Sequence, residues 1–205
     1  MKTRNIMYFA KAVSIMSSPF YLPLVGLATL FAFSYLSEMP LIYKVFILLI
    51  TYVFTVLLPK TLIRLYHRYH GWTLFELGAK EQRVIPYLVS IICYFLCYYV
   101  MIVYHVPHLM GSIVVAALVV QVSCAVVNMW WKISVHMAAI GAMAGALVAF
   151  GFKFMFNPVW WLCVVFLMSG FVGSARLILR QHTLRQLNIG FIVGVLAGFF
   201  TVMFV

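Results

Sequence analysis

Seven apolar runs, most of them close to the length of a bilayer crossing, dictate what this chain can become. They cover roughly residues 20–36, 41–58, 84–104, 109–129, 134–152, 159–174 and 187–205. About 20 helical residues cross the hydrocarbon of a membrane. Hydrophobic residues fill 66% of the 205 positions and charged residues 8%, against about 45–50% and about 25% in an ordinary soluble domain. No soluble interior hides that apolar share. The expectation is an all-α polytopic transmembrane bundle of six or seven spans, a single integral membrane domain over 1–205 with no room for a separate soluble unit. Turn and cap residues punctuate the runs: Pro40 after Glu38, the turn His105-Val106-Pro107-His108, and Asn157-Pro158 before the sixth run.

Two segments read as interfacial. Residues 1–18 are basic and mildly amphipathic, an interfacial lead-in helix rather than a removed leader. Residues 60–83 form a basic interfacial loop. Lys60, Arg64, Arg68, Lys80 and Arg83 alternate there with Tyr66, Tyr69 and Trp72, the mixture a membrane–water interface favours. With alternating spans, all of the 14 Lys and Arg except Lys44 and Lys153 fall on the face holding the N-terminus. The positive-inside rule makes that face cytoplasmic, and the expected setting is a bacterial inner membrane.

The acids are as informative as the bases. There are three, Glu38, Glu76 and Glu81, and no Asp, so the formal net charge is +11. Hard divalent cations want clustered carboxylates, and three scattered Glu make no convincing Mg site. Asp-rich prenyl-transfer chemistry and two-metal hydrolysis are excluded on the same ground. A cationic membrane protein short of acids suits anions, of which phosphate is the commonest. Cys93, Cys97, Cys124 and Cys163 sit in apolar runs and read as small buried hydrophobes.

Polar groups near bilayer depth default to function, and three clusters fall on the N-terminal face. The first is Lys80-Glu81-Gln82-Arg83-Val84-Ile85-Pro86, an anion clamp or charge anchor entering the third span. The second is Trp130-Trp131-Lys132-Ile133-Ser134-Val135-His136. It places a lysine, a hydroxyl and an imidazole at a helix start, where free N–H groups and the positive dipole end favour phosphate. The third runs from Ser174 through Arg176, Arg180, His182 and Thr183 to Gln186. On a helix His182 and Gln186 share a face, so Gln186 can fix the imidazole tautomer. Arg176 offers a planar fork for phosphate oxygens.

At the last two clusters the sequence resembles the type 2 phosphatidic acid phosphatase superfamily, membrane-embedded lipid phosphatases. The family motif S-R-x5-H-x3-D is matched in spacing by Ala175-Arg176, His182 and Gln186, and P-S-G-H by Ile133-Ser134-Val135-His136. The family's K-x6-R-P is met only loosely: Glu76 stands at the Lys position before Arg83, and Pro86 comes three residues late. The resemblance implies a metal-independent, cofactor-free phosphatase acting on a phosphorylated lipid through a phosphohistidine on His182. His136 would be the general acid and Gln186 would stand where the family has Asp. Arg176, Ser134, Lys132, Arg83 and Lys80 would hold the phosphate. A neutral amide at 186 leaves a non-catalytic phospholipid-binding protein or scaffold as the alternative.

Rival readings are weaker. His67-x-x-His70 and His105-x-x-His108 suggest a diiron centre, but the pairs fall on opposite faces. Gly141-Ala142-Met143-Ala144-Gly145 and the Gly190, Gly194, Gly198 series permit close helix packing, within the bundle or between two copies as a homodimer. A conduit would need polar residues through several spans, whereas Gln121, Ser123 and Asn128 are few and drift toward one face. The expected partners are the phosphorylated lipid and membrane lipids, with no nucleic acid.

Overall fold

A computed structural model describes residues 2–33, 35–70, 80–155 and 157–205. All regular structure among them is helical: α1 (Lys2–Met16), α2 (Leu22–Phe33), α3 (Leu41–Tyr52), α4 (Leu58–His70), α5 (Lys80–Val103), α6 (His108–Trp130), α7 (Val135–Phe154), α8 (Val159–Ile178) and α9 (Leu184–Phe204). A π turn, Val53–Leu57, joins α3 to α4 without a break. Seven helical stretches are long and apolar enough to cross a membrane: Met7–Phe31, Leu41–Tyr66, Ile85–Val103, His108–Trp130, Val135–Phe154, Val159–Ile178 and Leu184–Phe204. The protein is an integral membrane helical bundle.

Two stretches differ from the sequence expectation. The basic segment beginning at Lys60 is not a loop: it is helical to His70, and the second span extends to Tyr66. Helix carries no penalty there, because Lys and Arg can reach the interface while their stems stay in apolar surroundings. Residues 71–79 of that segment lie outside the described residues. The lead-in is helical too, but it docks on the bundle rather than only lying beside it. The first span starts within it at Met7, α1 packs along α8, Ala10 is buried, and Val13 joins the cluster of Met137, Val172 and Leu187. The helix breaks at Ser18, which precedes Pro19 and has φ −58° and ψ 135°. A residue before proline is pushed out of the α region.

α6 and α7 form the centre. Of their spanning residues 50% and 56% are buried, against 18–33% in the other spans. The most extensive helix–helix contact is α7 with α9, and its cause is legible residue by residue. A Cβ added at Gly141 would overlap the carbonyl oxygen of Phe191, at Gly145 that of Val195, at Gly194 that of Ala138, and at Gly198 that of Ala142. Backbone meets backbone, the close approach that small residues permit between membrane helices. The glycine series therefore serves packing within one chain. Large side chains such as Ile42, Trp160, Leu167 and Phe204 are exposed around the perimeter, as a lipid-facing surface requires.

Hydroxyls inside the spans bond to their own helix. Thr51 donates to the Ile47 carbonyl at 2.9 Å and Thr55 to the Thr51 carbonyl at 2.7 Å, since hydrocarbon offers no other partner. Cys93, Cys97 and Cys124 are buried free thiols, while Cys163 is exposed.

The α7–α9 contact makes a prediction. Gly194→Ala should destabilise the protein by about 1–3 kcal/mol through overpacking, seen as a lower unfolding temperature in detergent. Gly170→Ala, where an added Cβ meets nothing within 4 Å, should leave stability unchanged or raise it, because Ala is the better helix former.

Candidate functional site

Three local structures assemble one hollow at the membrane face that holds the N-terminus. The first is the connection between α6 and α7. Trp131 (φ −142°, ψ 133°) and Ser134 (φ −90°, ψ 106°) are extended, so α6 stops and α7 restarts within a few residues. This sets Lys132 at the mouth and His136 in the first turn of α7. The second is the turn between α8 and α9. The Arg180 N–H donates to the Leu177 carbonyl at 2.9 Å and the Gln181 N–H to the Arg176 carbonyl at 3.2 Å, with Arg180 left-handed at φ 50°. That pattern is a Schellman closure, with arginine tolerated where glycine is usual. It folds His182 back beneath Arg176.

The third is the start of α9. Thr183 is its N-cap and forms a reciprocal capping box with Gln186. The Thr183 N–H donates to Gln186 Oε1 at 3.2 Å, and the Gln186 N–H donates to Thr183 Oγ1 at 3.5 Å. Because a backbone N–H only donates, the amide oxygen of Gln186 is fixed toward it. The same oxygen lies 3.3 Å from His182 Nδ1. On the other side of the ring, His182 Nε2 lies 3.4 Å from Arg176 Nη2. A guanidinium has no acceptor, so the neutral ring carries its proton on Nδ1, donated to Gln186, and its lone pair on Nε2.

An N-terminal contact completes the wall. Arg176 Nη1 donates to Ser14 Oγ at 2.8 Å. The Ser14 carbonyl lies 3.2 Å from His136 Nε2, which must therefore be the protonated nitrogen of that ring. One residue of α1 thus ties α7 to α8. The cavity is about 550 Å³ and is lined by Lys132, His136, Arg176 and His182, together with Ser18-Pro19-Phe20, Pro86, Tyr87, Ser90, Gln121, Asn128, Ile133, Val135 and Gln181. No Asp or Glu is among these lining residues. The charged residues among them are cationic, a field suited to an anion.

The residues singled out in the sequence are distributed as follows. Lys132, His136, Arg176 and His182 share the cavity, and Gln186 stands behind His182. Ser134 is not in the lining: it is fully buried, and its hydroxyl makes no capping bond. Lys80 and Arg83 are helical in α5, but their side chains lie outside those described. Their helix reaches the cavity wall at Pro86 and Tyr87. Among the described residues, two buried side-chain polar atoms have no hydrogen-bond partner, Ser134 Oγ and Arg176 Nε. Both belong to the set expected to hold phosphate, and such orphaned groups ask for an explanation. No group of three or more His, Cys, Asp or Glu among the described residues is arranged to hold a metal ion.

Sequence reasoning missed Ser14 and the capping role of Thr183. Thr183 had a signal, the pattern Thr183-x-x-Gln186 ahead of an apolar run, which is a capping box. Ser14 had none, because nothing local says that α1 reaches across to α8. No protein-family model, no curated protein and no solved structure matches the chain.

The tie through Ser14 is testable. Ser14→Ala removes a hydrogen bond from a charged donor, a loss of about 1.5–3 kcal/mol, and should lower the unfolding temperature in detergent. Ser14→Thr keeps the hydroxyl and should retain most of the stability.

Proposed function

We propose that this protein removes phosphate from a membrane lipid without a metal, through a phosphohistidine intermediate. The observation that carries the reading is the meeting of two imidazoles and a guanidinium in one cavity, with no acid among its described lining residues. His136 and His182 come from helix starts 46 residues apart in the chain, yet line the same hollow with Arg176. The lone pair on His182 Nε2 attacks phosphorus, and the bond from phosphorus to the lipid oxygen breaks. The negative charge of a bound phosphate lets His136 take a second proton from solvent, and His136 then gives a proton to that oxygen, so that the lipid leaves as a neutral alcohol. Water then attacks the phosphohistidine, His136 takes its proton, and inorganic phosphate leaves with His182 restored. Arg176 and Lys132 stabilise the charge on the equatorial oxygens, with Arg83 and Lys80 of α5 assisting.

Gln186 sets the rate of such a reaction. Its amide orients the Nδ1–H bond but holds no negative charge to offset a cationic ring. In the serine-protease triad the corresponding loss, Asp→Asn, costs about 10⁴ in kcat. That neutral amide is also the one observation favouring the second reading, a protein that binds phospholipid headgroups without turnover. The proposed setting is a bacterial inner membrane with the site on the cytoplasmic face, supported by the excess of Lys and Arg on the N-terminal side.

The experiment offers phosphatidic acid, phosphatidylglycerophosphate, isoprenyl pyrophosphate and lipid A to the purified protein in EDTA. Phosphate release is expected from at least one of them. His182→Ala should abolish it, and His136→Ala should lower it about 10²–10⁴-fold. Absence of release from all four, with phospholipid still bound, supports the binding reading instead.

Gln186→Leu keeps the bulk and loses the acceptor. If the amide fixes the reactive tautomer, kcat should fall at least about tenfold, the scale of a lost hydrogen bond to a reacting group, with little change in KM.

A further inference from the structure

The cavity has an uncharged end that dephosphorylation does not use. Gln121 and Asn128 both line it, yet their side chains are buried, at 4% and 8% exposure. They lie seven residues apart on α6, so they share a face and are separated by two helical turns, about 10 Å along the axis. Asn128 is near the cationic rim at Lys132, and Gln121 lies deeper. The Gln121 amide is beside the Tyr94 hydroxyl. Asn128 has no hydrogen bond to its side chain among the described residues. Ser90 lines the cavity too, and its hydroxyl donates to the Pro86 carbonyl at 2.7 Å and retains acceptor lone pairs.

Buried amides at bilayer depth are costly when unpaired. A ligand that fills this end with plain hydrocarbon leaves the Asn128 amide unpaired and gives the Gln121 amide no partner beyond Tyr94. One that carries a hydroxyl or ester carbonyl near its phosphate satisfies them. The geometry points to Gln121 and Asn128 as a second subsite, which takes an uncharged hydrogen-bonding group of the ligand's alcohol a few bonds from the phosphate. The protein would then favour glycerol-type lipid phosphates over phosphates of simple hydrocarbon alcohols. This rests on the phosphate-site reading above, whether or not turnover follows.

Binding of phosphonates tests it, since their carbon–phosphorus bond is not hydrolysed. The full-length protein in detergent is titrated with a phosphonate on a diacylglycerol backbone and with an alkyl phosphonate that has no other polar group. The wild type should bind the first about tenfold or more tightly, the scale of leaving a buried polar group unpaired. Asn128→Leu should weaken the first and leave the second unchanged, narrowing the ratio. Gln121→Met, close to the original in volume, is the second variant should the leucine protein unfold. Equal binding of both phosphonates by the wild type overturns the subsite alone, as does a ratio that survives both substitutions. Failure of either phosphonate to bind overturns the phosphate site as well, and the subsite with it.

Discussion

The direct backbone contact of α7 with α9 is the constraint from which the rest follows. Four glycines, Gly141 and Gly145 on one helix and Gly194 and Gly198 on the other, let each backbone settle against the carbonyls opposite. Membrane helices gain little from excluding lipid, which is as apolar as their side chains, so close packing supplies the attraction. This contact brings the N-terminal end of α7 beside that of α9. His136 arrives with the first and Gln186 with the second, and Gln186 carries His182 with it. Without that approach the two imidazoles would have no reason to meet.

Charge then organises what packing has brought together. Cations near bilayer depth are expensive, and each one here is given a partner or a route to the interface. Arg176 is held by the Ser14 hydroxyl and the His182 ring, while Lys132 is exposed at the mouth. Among the described residues, no carboxylate lines the cavity to neutralise them. The result is a positive hollow beside a neutral polar wall, a pairing that suits an amphiphile with an anionic head.

The His182 ring shows how a local backbone device becomes a chemical one. A capping box is ordinarily a way to satisfy the first N–H groups of a helix. Here its glutamine oxygen accepts hydrogen bonds from the Thr183 N–H and the imidazole Nδ1–H at once. The helix start and the tautomer are fixed by the same atom. Orientation is obtained without a carboxylate, at the expense of electrostatic help to a cationic ring.

The sequence by itself determined the class of fold, because apolar run length and hydrocarbon thickness admit few solutions: each of the seven spans overlaps one of the seven runs, although the first begins earlier, at Met7, and the second ends later, at Tyr66. It also indicated the polar clusters, since spacings such as His182 to Gln186 report contacts within one turn of helix. What only the tertiary structure decided is everything that depends on which helices touch. Sequence spacing carries no information on the partner of a helix face, so it could not show that α1 docks on α8, that Ser14 bridges Arg176 and His136, or that Ser134 is buried outside the lining of the hollow. Nor could it show that Gln121 and Asn128 face the same space as Lys132. Those are properties of a packed bundle, where one glycine-lined contact sets the angle at which every other helix arrives.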